Sequence, residues 1–172
     1  MPPSELSVKD PLPAPAATGT PGSIAVLVDL LARQAASGQP IPWSPALSVG
    51  IASIDAQHRV LLAYVNQLSG ALARGQSAEV LGDVLRGLEA YTHLHFRHEE
   101  RLFALHGWQE SDDHAHGHRA FEAQLAGFGQ RLAAGDATLA AEVLAFMIRW
   151  LADHILVDDI AYSGFLQERG VR

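Results

Sequence analysis

Four long stretches of this chain repeat their large apolar residues every three to four positions, and each is closed by glycine, serine or aspartate. Recurrence at i, i+3, i+4 and i+7 lines one face of an α-helix, whereas a half-buried strand needs strict alternation. The first stretch runs from about Ser53 or Asp55 to Arg74 and aligns Ile54, His58, Leu61, Leu62, Val65 and Leu68, with Gly75 beyond its end. The second starts after Ser77 and runs through Leu81, Leu85, Leu88, Tyr91, His95, Glu99 and Leu102 to about Leu105, where Gly107 stops it. Ser111 opens the third, with Asp112 and Asp113 suited to the positive end of the helix dipole, and it closes before Gly135. The fourth begins near Asp136 and carries Leu139, Val143, Phe146, Met147, Trp150 and Ile155. No segment reads as a strand. Helices of similar length joined by short loops predict an all-α, up-down-up-down four-helix bundle.

The residues ahead of the bundle read differently. Residues 1–22 hold six of the nine prolines and almost no large apolar side chain, so they cannot bury enough surface to offset chain entropy and are expected to be a disordered tail. Residues 23–42 are expected to form a short amphipathic helix and a linker. Ser23 is placed to cap the helix, Ile24, Leu27, Val28 and Leu31 share a face, and Gly38 follows. That face can pack on the bundle, which spans residues 43–168, or receive a protein partner. Its apolar stretch is too short for a bilayer, and the only positive charge before it is Lys9, so the sequence predicts a cytoplasmic protein with no membrane contact.

Composition narrows the chemistry. The 172 residues contain no cysteine, which excludes disulfides, thiol nucleophiles, iron–sulfur clusters and cysteine-ligated zinc. The formal charge is −7 and there is a single lysine, which argues against a nucleic-acid surface. Any metal must sit on His, Asp and Glu.

Seven of the nine histidines fall between His93 and His118. His95 and Glu99 are four residues apart in the second helix, as are His114 and His118 in the third, so each pair shares a face. The first helix adds His58 on its apolar face, and the fourth adds His154 with Asp158 and Asp159 close behind. Each feature alone is weak. Together they would bury five imidazoles and two carboxylates in a small bundle, at several kcal/mol per charged group unless a cation compensates. Seven donors exceed one tetrahedral zinc and match two metal ions with bridging carboxylates, and imidazole with carboxylate is a set that suits iron. His93 and His116 sit about 200° around their helices from the ligand face and are expected to face solvent. His98 reads as a polar boundary residue, and Tyr91 and Tyr162 lie near enough in sequence to reach the ligands or simply to pack.

Other motifs fail. His98-Glu99 begins a zincin pattern, but Leu102 stands where its second histidine belongs, and the Glu-x-x-His pairs of ferritin-like di-iron enzymes are missing. Instead, Trp43 with LSVGIASIDAQH, YTHLHFRHEERLF, HAHGHRAF and WLADHILVDDIAY resemble the bacterial hemerythrin domain from about Trp43 to Leu166. The resemblance implies one non-heme iron on His114, His118 and His154, a second on His58 and His95, and Glu99 and Asp159 bridging the oxo- or hydroxo-linked pair. It also implies reversible dioxygen binding at the iron with two histidines. Phe103 and Trp108 depart from residues common in the family without touching the ligand set. Helical spacing alone would favour Asp158 over Asp159 as the partner of His154, because i+5 lies about 140° away around an α-helix. The resemblance therefore requires a π-type bulge or a broken helix between Ile155 and Asp158.

The function expected on this basis is a binding protein that stores, delivers or senses dioxygen. Leu62, Phe96, Leu102, Phe121, Trp150, Leu151 and Ile155 supply an apolar pocket, which would keep the bound gas from reacting further. The alternative is a di-iron enzyme acting on peroxide or nitric oxide, or an iron donor for cluster repair. Against an enzyme stand the lack of a redox cysteine, of a cofactor motif and of a clear extra acid aimed into the site.

Overall fold

The computed structural model describes residues 21–136 and 138–172 of the chain. Among them there is no strand, and six α-helices follow one another: α1 (Pro21–Ala36), α2 (Ala52–Ala73), α3 (Ser77–His106), α4 (Ser111–Ala133), α5 (Leu139–Asp153) and α6 (Ile160–Glu168). A π-helical turn, His154–Asp159, joins α5 to α6 into one long rod, and a short 3-10 turn, Pro45–Leu47, leads into α2. The rod, α2, α3 and α4 run up and down around a common core, α2 touching α3 and α5, and α4 touching the same two. This is the all-α, up-down-up-down four-helix bundle, with α1 as an added helix laid against α5 and α2.

The helix ends follow local chemistry. Gly107 ends α3 with φ 73°, and the N–H groups of Gly107 and Trp108 both donate to the Phe103 carbonyl. Only a residue without Cβ adopts that left-handed turn cheaply, and the residue after it then folds back on the last turn of the helix. Trp108 does so, its ring 4.7 Å from that of Phe103. At the start of α2, buried Asp55 accepts hydrogen bonds from the Val49 amide (2.9 Å) and the Ser48 hydroxyl, which pins the lead-in segment to the bundle.

Two starts differ from expectation. The first helix begins at Pro21, not after a cap at Ser23, because proline's missing N–H and fixed φ suit the first helical position. Residues 1–20 of the expected tail lie outside the described residues. The fourth helix begins at Leu139, because Asp136 instead closes a turn by accepting from the Thr138 amide (3.0 Å) and hydroxyl (2.8 Å).

Helix α1 is held by Leu27, Leu31 and Ala35 in the core and by the Ser69 hydroxyl, which donates to the Ala35 carbonyl at 2.7 Å. No helix among the described residues is long and apolar enough to cross a membrane.

Candidate metal centre

Each rod of the bundle delivers part of one buried cluster. Helix α2 brings His58, α3 brings His95 and Glu99 one turn apart, and α4 brings His114 and His118 with the same spacing. His154 opens the π-helical turn and Asp159 closes it. A turn closed by i→i+5 bonds carries one residue more than an α-turn, so the fifth residue after His154 returns to the same face. Asp159 thereby points inward and is fully buried, while the Asp158 side chain is about half exposed. The departure from α geometry expected between Ile155 and Asp158 is present. None of the seven residues is more than 8% exposed.

Their donor atoms converge. His58, His95, Glu99, His154 and Asp159 form one set and Glu99, His114, His118 and His154 another, with the donor atoms of each set all within 4.8 Å of one another. Glu99 and His154 belong to both sets. Glu99 turns Oε1 toward His95 Nε2 (3.7 Å) and Oε2 toward His118 Nε2 (3.0 Å) and His114 Nε2 (3.3 Å). Asp159 turns Oδ2 toward His58 Nε2 (2.9 Å) and Oδ1 toward the Nε2 atoms of His114 and His154 (both 3.5 Å). Each carboxylate thus offers one oxygen to either side, the arrangement that two cations sharing bridging carboxylates require.

Several polar atoms at the centre are left unsatisfied by their neighbours. Both nitrogens of His58, Nε2 of His118 and both oxygens of Asp159 are buried without a hydrogen-bond partner, although some lie about 3 Å apart. Buried donor atoms this close together without hydrogen bonds are atoms that a cation between them would satisfy. The donor set fits a cation on this ground.

Electrostatics agree. Burial is the main cause that drives the His58 and His95 imidazoles down to about 3 and His154 to about 4, so all three are neutral ligands near pH 7. Burial pushes Glu99 up, but His95, His114 and His118 outweigh it and hold the carboxyl well below its ordinary range. Asp159 goes the other way, well above its ordinary value, through burial first and then the facing Glu99 and the neighbouring Asp158. A cation entering the centre opposes that shift, because it favours the ionised carboxylate.

The walls are aromatic. Phe96 stacks on His118 at 3.8 Å, Trp150 stacks on His154 at 4.3 Å, and Phe121 lies 3.9 Å from Trp150. Trp108 and Phe103, brought together at the α3 end, pack beside His114 at 5.7 and 5.1 Å. The fully buried Tyr162 donates its hydroxyl to Glu99 Oε1 at 2.5 Å, resolving its open reading from sequence in favour of contact with the ligands.

The remaining histidines stay outside: His93 and His116 are exposed, and His98 meets Ser53 Oγ at 3.0 Å. Sequence reasoning missed Gln57 and Glu100. Gln57 Oε1 lies 2.9 Å from His95 Nδ1, and Glu100 Oε1 lies 3.0 Å from His118 Nδ1. Their only sequence signal is position, each being adjacent to a ligand yet pointing to a neighbouring helix.

A closed four-helix bundle that gathers imidazoles and carboxylates from every rod around one buried centre defines a His/carboxylate cation-binding bundle. The sequence matches the hemerythrin HHE cation-binding domain over residues 49–162. It is 35% identical over 121 residues to a bacteriohemerythrin of Stenotrophomonas maltophilia (strain R551-3), covering 70% of this chain and 78% of that protein. It is 31% identical over 127 residues to a hemerythrin-like protein of Naegleria gruberi, covering 74% of this chain and 94% of that one. Among solved structures, a hemerythrin variant superposes with a TM-score of 0.67 at 25% identity, over 73% of this chain and 96% of that one. The chain belongs to the hemerythrin family.

Proposed function

We propose that the seven residues hold two non-heme irons joined by an oxo or hydroxo bridge, and that the protein binds dioxygen reversibly as a store, a carrier or a sensor. The observation that carries this reading is the split of Glu99 and Asp159, each of which offers one oxygen to either set of imidazoles. In it His114, His118 and His154 would hold one iron, His58 and His95 would hold the other, and Glu99 and Asp159 would be shared between them. When bound, two irons supply the two electrons that dioxygen takes up on binding and returns on release.

The chain's own part is to orient the ligands and keep the surroundings dry. An oxygen acceptor at Nδ1 of His95 and of His118 requires the hydrogen there and turns the Nε2 lone pair inward. Phe96, Trp150 and Phe121 exclude the water that would carry the gas on to further reduction. The Tyr162 hydroxyl is committed to Glu99 Oε1, so its proton is held at the carboxylate. The same reading makes the protein a binder and not an enzyme, and a cytoplasmic setting belongs to it as well.

The test is an optical spectrum of the anaerobically reduced protein before and after air, with metal content measured alongside. About two irons per chain and visible bands that come with oxygen and fade on degassing are expected. Bands that never reverse would favour an oxidising enzyme, and a chain without iron would end the reading.

A further inference from the structure

Each ligand imidazole uses one nitrogen toward the centre and leaves the other to its surroundings, and those outer nitrogens are treated unequally. On the side that the reading above gives the iron with three histidines, His118 Nδ1 lies 3.0 Å from the carboxylate of Glu100, while Asp158 stands 3.9 Å from His154 Nδ1, beyond hydrogen-bond reach. On the other side, His95 Nδ1 meets the neutral amide oxygen of Gln57 at 2.9 Å, and His58 Nδ1 is buried with no hydrogen-bond partner. The surface beyond repeats the contrast. Gln57 lines a groove of about 450 Å³ together with Leu94, Arg97, His98 and Arg101. Among the described residues neither Arg97 nor Arg101 forms an ion pair with a carboxylate, and both guanidinium groups line the groove beside Gln57.

An imidazole whose outer N–H donates to a carboxylate gains electron density and binds a cation more strongly than one donating to an amide. Anionic groups nearby also favour a higher metal charge, and cationic groups disfavour it. We infer that Glu100, acting through His118, is a positioning residue that makes the His114/His118 half of the centre the tighter cation site. Gln57 leaves the His58/His95 half the weaker one. The centre is built lopsided by side chains that touch no metal themselves.

This inference rests on the two-cation reading above, and one titration separates the two. Metal-free full-length protein is titrated anaerobically with ferrous ion, and uptake is followed by calorimetry. Two steps of unequal affinity are expected. Glu100→Gln keeps the size of the side chain and an oxygen for His118, and it should weaken the tighter step about 10- to 100-fold while sparing the weaker. Gln57→Glu should tighten the weaker step and draw the two together. Asp158→Asn should change neither step, since its carboxylate lies beyond hydrogen-bond reach of the His154 ring. Circular dichroism and thermal midpoints confirm that each variant folds as the parent does. Two equal steps in the parent, or a Glu100→Gln protein in which both steps weaken alike or neither changes, would overturn the asymmetry while sparing the paired site. Uptake of a single ion by the parent would overturn both.

Discussion

Asp158 and Asp159 are chemically identical neighbours, and the backbone alone gives them different work. Asp159 faces His58, His114 and His154 across 2.9–3.5 Å, whereas Asp158 stands at the surface behind His154. Asp159→Asn is expected to lose at least half of the bound iron by metal analysis, because it replaces an anionic bridge with a neutral amide. Asp158→Asn should keep nearly all of it. Equal retention in the two would remove Asp159 from the ligand set. Acid gives a second prediction at this scale, for protein stripped of metal. His58, His95 and His154 titrate near 3 to 4 when folded and near 6.5 when unfolded, so the unfolded chain binds more protons between those limits. Glu99, held low, adds to the same trend at lower pH, and Asp159, held high, opposes it. The midpoint of urea unfolding should therefore fall as pH drops from about 6.5 toward 4. A flat profile over that range would contradict the buried neutral imidazoles.

Helix ends shape the centre as much as ligands do. Gly107 turns the chain so that Trp108 lies over Phe103, and these two rings close the side of the cluster next to His114 and Tyr162. A Cβ at Gly107 would touch nothing within 4 Å, so Gly107→Ala isolates the backbone term. It should cost about 1–2 kcal/mol in denaturant unfolding through the positive φ and leave iron content unchanged. A neutral result would show that the turn relaxes without cost. The π-helical turn is the other decisive end. Its six residues widen the helix between α5 and α6 by one residue per turn relative to α geometry, and through it His154 and Asp159 face the same centre.

At the scale of the molecule, α1 is an extra layer that adds core without adding a ligand. Removing residues 1–38 would uncover the surface of α2 and α5 that Leu27, Leu31 and Ala35 occupy. Burying two leucines is worth roughly 3–6 kcal/mol, so the truncated chain should unfold at clearly lower urea while still binding iron, since every proposed ligand lies between His58 and Asp159. Removing residues 1–20 alone should leave iron binding as it is. Loss of iron with either truncation, in protein that is still folded, would tie the extension to the centre.

Much of this protein was legible from its sequence because helical period, capping residues and i, i+4 pairs are local properties. They were enough for four helices, for the placement of His95 with Glu99 and of His114 with His118, and for the bundle itself. Resemblance to the hemerythrin domain pointed to Asp159 as the seventh candidate ligand, against simple helical arithmetic, and the π-helical turn brings it into the cluster. What only the tertiary structure decided is which outer groups meet the imidazoles. Gln57 reaches His95 from another helix 38 residues away, and Glu100 reaches His118 across 18. No periodicity encodes such contacts, because they depend on how deeply two helices interlock and at what register. The same holds for the Tyr162 hydroxyl on Glu99, 63 residues apart, where packing alone selected one of two readings the sequence left equal.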